Sequence, residues 1–310
     1  MPNGGTALDG FVLAIDFGGT KIAIGSAGTD GELLFAERLE THADKGAEQA
    51  VERAIEAALG LAGRTRELGG GDCLAAGAVS PGIVEEQGVF LAPNVPGWDA
   101  LALPKMLRSG LGMASVAVAN DVNAAALAET RWGALADTDV GLFLSLGTGV
   151  KAGVVIGGNV FTGAHGAAGE IGYSLRGPAD APGFAAGNAP FEEYVGGRAL
   201  GKRAGALLGE WLSAADVFAH PDLPAEFVEE WLAELSMNVA NLAIALDPER
   251  IAVGGGLMAH AETILPALRA RVDAIVPFPP AVVPARFLQD GALRGAAALA
   301  IDAVADEVLR

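Results

Sequence analysis

The sequence predicts an α/β protein built as two similar domains with a ligand cleft between them. Three observations carry that prediction. A pattern of strand, glycine turn, strand, turn and strand occupies residues 11–37 and returns at 140–162, the mark of an internal duplication. Two acids, Asp16 and Asp121, stand where apolar strands end, the edge at which α/β proteins place ligands. The chain of 310 residues, 51% hydrophobic with 44 glycines, is long enough for two proper cores.

Composition narrows the partners. A formal charge of −18 argues against nucleic acid, because a polyanion is repelled and no basic stripe appears. It leaves a nucleotide open, since such a ligand arrives with magnesium and backbone N–H groups supply local attraction. No apolar run is long enough to span a bilayer, which takes roughly 18 residues or more, so no membrane partner is expected. The opening stretch MPNGGTALDG lacks the basic and apolar regions of a secretion signal. One cysteine, Cys73, forms no internal disulfide, nearly excludes a thiolate zinc site and fits a reducing, cytoplasmic location.

In chain order, Phe11 to Asp16 is an apolar strand, Phe17-Gly18-Gly19-Thr20-Lys21 a tight turn, and Ile22 to Ser26 a second strand. Gly28 to Gly31 turns the chain into a third, Glu32 to Glu37. Residues 42–68 have helical spacing, with Val51, Ala54, Ala57, Ala58 and Leu61 on one face. Leu74 to Val79 reads as a buried strand, followed by a hairpin and the loop Pro93-Asn94-Val95-Pro96-Gly97-Trp98. Ala114 to Val118 is a short strand stopped by Asn120 and Asp121, after which an Ala-rich helix begins. Asn and Asp are preferred helix caps, so that pair reads either as a cap or as a ligand-facing acid.

The second half repeats the first. Val140 to Leu146 is a strand, Gly147-Thr148-Gly149 a turn, Ala152 to Ile156 a strand, and Gly157-Gly158-Asn159 a hairpin into Val160 to Thr162. Superposing the halves lays Gly18, Gly19 and Thr20 on Gly147, Thr148 and Gly149, and Asp16 on Ser145. Two ordinary hairpin meanders remain the plainer alternative. Each glycine turn exposes backbone N–H groups with no Cβ in the way, which suits phosphate oxygens, and Thr20 and Thr148 add hydroxyls.

Farther on, Gly163 to Gly172 carries Glu170, residues 174–190 form an irregular loop, and Glu192 opens a helix through Leu208. The run Gly196 to Arg203 approaches a Walker A loop but ends in Arg and follows no strand, so it is set aside. Trp231 to Leu246 reads as a buried helix closed by Asp247-Pro248. Ile251 to Val253 is a strand entering a third glycine turn, Gly254-Gly255-Gly256. That turn reads either as a flat seat for adenine or as a junction requiring positive φ. Gly295 to Arg310 is an Ala-rich helix.

With these pieces placed, the sequence resembles the ROK family of sugar kinases and repressors, within the actin-like (ribonuclease H-like) ATPase superfamily. The resemblance rests on AIDFGGTKIAIG, PNVPGW, NDVNAAALAE, SLGTGVKAGVVIGGNVFTGAHGAAGEIGY and LDPERIAVGGGL, in family order from about residue 11 to 305. It implies two actin-like domains, residues 1–119 with 296–310 and residues 120–295, around an interdomain active site. It implies ATP and Mg²⁺ and phosphoryl transfer to a sugar hydroxyl, with Asp121 as the base. Asp16 matches the acid that holds magnesium, mostly through water. Gly18, Gly19, Thr20, Lys21, Gly147, Thr148 and Gly149 match the phosphate binders, and Gly255 and Gly256 lie on the adenosine side. Asn94, Asn120, Asp121, Glu170, Tyr173 and Glu192 match the positions that meet sugar hydroxyls. A homodimer through the larger domain is implied too.

Two departures from the family pattern stand out. Its E-x-G-H signature and following cysteine cluster bind zinc, whereas this chain reads Glu170-Ile171-Gly172-Tyr173 with no cysteine or histidine at 174–190. No zinc is expected, and sugar selectivity is open at Tyr173. The family's repressors carry a helix-turn-helix ahead of the first phosphate strand, and only about ten residues precede Phe11 here. The expectation is a kinase for the 6-hydroxyl of glucose or a similar hexose. The alternatives are a kinase for a cyclitol or amino sugar and, from another class, a non-catalytic sugar-sensing protein.

Overall fold

The computed structural model describes residues 10–91, 97–99, 101–180 and 182–308. They divide into two compact units, residues 1–128 with 290–310 and residues 129–289. The first contains β1 (Gly10–Phe17), β2 (Lys21–Gly28), β3 (Leu33–Glu40), β4 (Asp72–Ser80), the small hairpin β5 (Ile83–Glu85) and β6 (Gly88–Phe90), and β7 (Val116–Asn120). Its main sheet runs β3-β2-β1-β4-β7, antiparallel from β3 to β1 and parallel from β1 to β7. One face packs Phe11, Leu13, Ile15, Ile22 and Ile24 under α1 (Ala47–Glu67) and α2 (Leu103–Leu111). The alternate residues Val12, Ala14 and Val79 meet the C-terminal helix, Gly291–Val308, which approaches closely because both surfaces are small. A Cβ on Gly77 of β4 would lie 1.8 Å from the Ala296 carbonyl oxygen. Helix α3 (Asp121–Trp132) follows β7 without a loop.

The second unit holds β8 (Val140–Leu146), β9 (Val150–Ile156), β10 (Asn159–Phe161), β11 (Arg250–Gly254) and β12 (Ala281–Pro284) in the order β10-β9-β8-β11-β12. This repeats the first sheet strand for strand, with the same antiparallel and parallel pairs. Asp16 pairs with Ala23 next to the first turn, and Ser145 pairs with Lys151 next to the second, so Asp16 and Ser145 are equivalent. Helices α4 (Glu192–Val195), α5 (Gly197–Leu208), α6 (Ala214–Val217), α7 (Ala225–Leu246) and α8 (Ala261–Ile275) complete the unit. Trp231 of α7 is fully buried and donates Nε1 to the Val195 carbonyl at 3.0 Å, giving a buried indole the partner it needs.

Three local differences from the sequence reading have clear causes. The expected helix from Glu192 to Leu208 breaks at Gly196, whose ψ of 146° is extended. The break lets the Gly197 and Arg198 amides donate to Gly147 and Thr148 carbonyls, so α5 begins on the second glycine turn. β7 continues through Asn120 rather than stopping before it, because Asn120 still pairs with Ser80 of β4. β12 has no apolar alternation of its own and forms because β11 offers it an unpaired edge. The units change over at Ala128/Glu129 and Gln289/Asp290, somewhat inside the second domain as read from sequence at its start and short of its end.

Candidate active site

In the first unit, the parallel strands β1, β4 and β7 end together, which places Asp16 level with Val79 and the latter level with Ala119. Asp121 opens α3 just beyond. Enclosure by the protein, and then the Asp121 charge, push the Asp16 carboxyl up from 3.8 to about 7, with Arg38 pulling it partly back. Asn120 is the buried helix cap. Its Oδ1 accepts from the Val122 amide at 2.9 Å and the Asn123 amide at 3.2 Å, and its Nδ2 donates to the Gly82 carbonyl at 2.8 Å. The capping reading therefore holds at Asn120. Asp121 Oδ1 also accepts from the Val122 amide, at 2.8 Å. Asn94 lies outside the described residues. Trp98 of the same loop is buried, tilted against Phe17 at 5.4 Å, and donates to Ser80 Oγ.

The two glycine turns share one design. The Gly18 amide donates to the Lys21 carbonyl at 3.0 Å, and the Gly147 amide to the Gly149 carbonyl at 3.0 Å. Among the described residues no hydrogen bond takes up the next amides, Gly19 and Thr20 in one turn, Thr148 and Gly149 in the other. Gly19, Thr20, Lys21 and Thr148 are exposed. Consecutive unpaired amides at an exposed turn form a concavity suited to anions.

Beside the second turn, Glu192 of α4 accepts from the Val150 amide at 3.1 Å through Oε2. The same oxygen lies 2.1 Å from where a Cβ on Gly149 would stand, so a larger residue there must displace the Glu192 carboxylate. Glu170 forms a partly buried ion pair with Lys151 of β9. Burial, then the charges of Glu170 and Glu192, raise the Tyr173 phenol above its ordinary value, so it stays a hydroxyl donor. The Tyr173 ring meets Phe184 edge-on at 5.3 Å. Arg176 donates to Glu234 Oε1 at 2.9 Å and lies 3.6 Å from the Tyr194 ring centroid, which Arg203 approaches at 3.7 Å. These contacts order residues of the 174–190 loop by packing and charge. Among the described residues no cluster of His, Cys, Asp or Glu is arranged to hold a metal ion.

A cavity of about 990 Å³ opens in the second unit, lined by Gly147, Thr148, Arg198, Lys202, Trp211 and His260 among others. Trp211 is 84% exposed at its rim. The two glycines of the third turn differ in their surroundings. Gly255 has φ 91° and a Cβ there would lie 2.4 Å from the Leu146 carbonyl oxygen, whereas Gly256 has open space beside it and lines the cavity. The sequence reading set aside the run that holds Arg198 and Lys202 and assigned nothing to Trp211 and His260. The Gly196-Gly197 pair opening a helix was the available signal, although the segment is not a Walker loop.

The model of the ROK family matches residues 12–303. The chain belongs to the ROK family. An N-acetyl-D-glucosamine kinase of Aliivibrio fischeri is 31% identical, over 92% of this chain and 98% of that protein. The ROK hexokinase of Thermus thermophilus superposes with a TM-score of 0.77 at 31% identity, over 96% of this chain and 99% of the other. The Streptomyces griseus ROK glucokinase, crystallised with glucose and AMPPNP, also gives 0.77, at 29% identity over 94% and 100% of the two chains. The fold is that of the actin-like ATPases, and this ROK chain is an ATP-dependent carbohydrate kinase. No helix among its described residues is long and apolar enough to cross a membrane.

Proposed function

We propose that this kinase transfers the γ-phosphoryl group of ATP to the 6-hydroxyl of glucose or a similar hexose, with Asp121 as general base. The observation that carries the reading is the pairing of Asp16 with Asp121 at the common end of the parallel strands, beside the unpaired amides of Gly19 and Thr20. In the reaction, Asp121 takes the hydroxyl proton as the sugar oxygen bonds to the γ-phosphorus and the bond to the ADP oxygen breaks. Little covalent chemistry is asked of the protein, so alignment and charge stabilisation dominate.

Carboxylate oxygens suit Mg²⁺, and a half-buried acid raised to about 7 by its setting and a second acid fits a place completed by a cation. Asp16 would hold that ion, largely through water, and when bound it neutralises phosphate charge. Gly18, Gly19, Thr20, Lys21, Gly147, Thr148 and Gly149 take the phosphates. The nucleoside occupies the cavity beside Gly256, with Gly255 shaping its edge and Trp211 at its rim. Asn94, Asn120, Glu170, Tyr173 and Glu192 meet the sugar. The enzyme works as a cytoplasmic homodimer joined through the larger unit.

Asp121→Asn tests the base. Turnover should fall about 10²–10⁴-fold while ATP affinity is kept; near-normal turnover would falsify the assignment. A second reading, an amino-sugar acceptor, is favoured by Tyr173 in place of the family histidine and by the named substrate of the Aliivibrio relative. Specificity constants for glucose, N-acetylglucosamine, N-acetylmannosamine and inositol separate the two. Absence of sugar-stimulated ADP release across that panel would instead indicate a binding protein.

A further inference from the structure

Lys151 is the only lysine among the described residues that is buried, with 9% of its surface exposed. It is the second residue of β9, directly across from Ser145 on β8. The equivalent residue of the first sheet is Ala23, across from Asp16, so the strand arrangement itself needs no cation at that point. A lysine is costly to bury, and its presence asks for a task.

The one hydrogen bond of its side chain among the described residues runs from Nζ to Glu170 Oε1. An ammonium has three donors, so two remain for a ligand. Glu170 needs an anchor. It lies on the irregular segment between β10 and the short turn of 3₁₀ helix at Ile171–Tyr173, with neither strand nor α-helix to hold it. A carboxylate that recognises hydroxyls by direction must be held within about 0.5 Å and 10–20° of its productive pose. The strand lysine supplies that hold and leaves Oε2 as the directed acceptor. Glu192 and Tyr173 complete the group: the former is tied to the Val150 amide adjoining Lys151, and the latter senses the charges of both glutamates.

We infer that Lys151 is a positioning and specificity-determining residue of the acceptor site, fixing the Glu170 carboxylate for the sugar and offering its remaining donors to an oxygen of that sugar. This rests on the reading of Glu170 as a sugar contact.

The test compares wild type with Lys151→Met, Lys151→Arg and Glu170→Gln, each checked for a native melting curve. Steady-state constants are measured on the sugar the wild type prefers, and sugar and AMPPNP affinities by calorimetry. Lys151→Met should weaken sugar binding and raise the sugar KM at least about tenfold, the scale of one buried charged contact, with AMPPNP affinity unchanged. Lys151→Arg should recover most of the loss, and Glu170→Gln should reproduce it. Equal sugar affinity in folded Lys151→Met, or a loss falling on AMPPNP instead, overturns the inference and leaves the kinase reading in place. A wild-type chain that binds no sugar removes that reading and this inference together. If Lys151→Met does not fold, Lys151→Arg and Glu170→Gln decide: a normal sugar KM in both overturns the inference.

Discussion

The carboxyl groups of Asp16 and Asp121 lie close enough in one unit for the charge of the second to help raise the first to about 7. Burial is the larger cause. Two acids brought together at a strand edge are poorly arranged for stability and well arranged for a cation and a proton.

That pairing makes the metal-free fold sensitive to pH. The unfolded Asp16 carboxyl ionises near 3.8 and the folded one near 7, so between these values only the unfolded chain has given up its proton. The stability contribution is complete below about pH 4 and is lost as pH rises through 7, by at most ~4 kcal/mol. Denaturant melts in EDTA should show wild type weakening over this window relative to Asp16→Asn. The variant should melt higher at pH 8 and have lost turnover. Parallel curves for the two proteins would remove the assigned shift.

Gly149→Ala should disturb both substrates at once. Its Cβ would stand 2.1 Å from Glu192 Oε2, the oxygen that receives the Val150 amide. Displacing that carboxylate is expected to cost about 1–3 kcal/mol of stability and to lower kcat/KM for ATP and sugar. Removing the obstruction in Gly149→Ala with Glu192→Ala should restore part of the stability, a non-additivity that a double-mutant cycle reads directly.

Trp211 should report nucleotide. An indole 84% exposed at the rim of the cavity is free to stack on a base, and Trp211→Ala should weaken ATP binding by about 1–3 kcal/mol with the sugar KM unchanged. Titrating wild type with AMPPNP should change tryptophan fluorescence, and the variant should lose that change. A nucleotide response identical in both places the base elsewhere.

The same substitution at two glycines should have opposite signs. Gly77→Ala drives a Cβ to 1.8 Å from the Ala296 carbonyl oxygen and forces the C-terminal helix away, so a loss of about 1–3 kcal/mol or more is expected. Gly60→Ala, on the exposed side of α1 with open space around it, should gain up to ~1 kcal/mol from helix propensity. Urea unfolding of the two variants checks both.

Much of the local structure of the candidate site was legible because it is written in short-range signals. The glycine turns at 18–19 and 147–149 announce themselves by what they lack, a Cβ, and the two sheets that repeat strand for strand follow from the repeated pattern around them. The capping role at Asn120 and the helix at Asp121 needed only neighbouring residues. The break at Gly196 was not legible, since helix propensity continues on both sides and the reason for stopping is a turn nearly fifty residues earlier.

By itself, the sequence determined the family, the paired α/β halves, the glycine turns and the position of the two acids at strand ends, because local pattern and residue chemistry suffice to specify these. Tertiary structure alone decided that Asp16 is held near 7, that Lys151 anchors Glu170, and that Arg198, Lys202 and Trp211 share a cavity with the second turn. Desolvation and Coulomb interaction depend on which distant side chains are packed alongside, and no local periodicity records that.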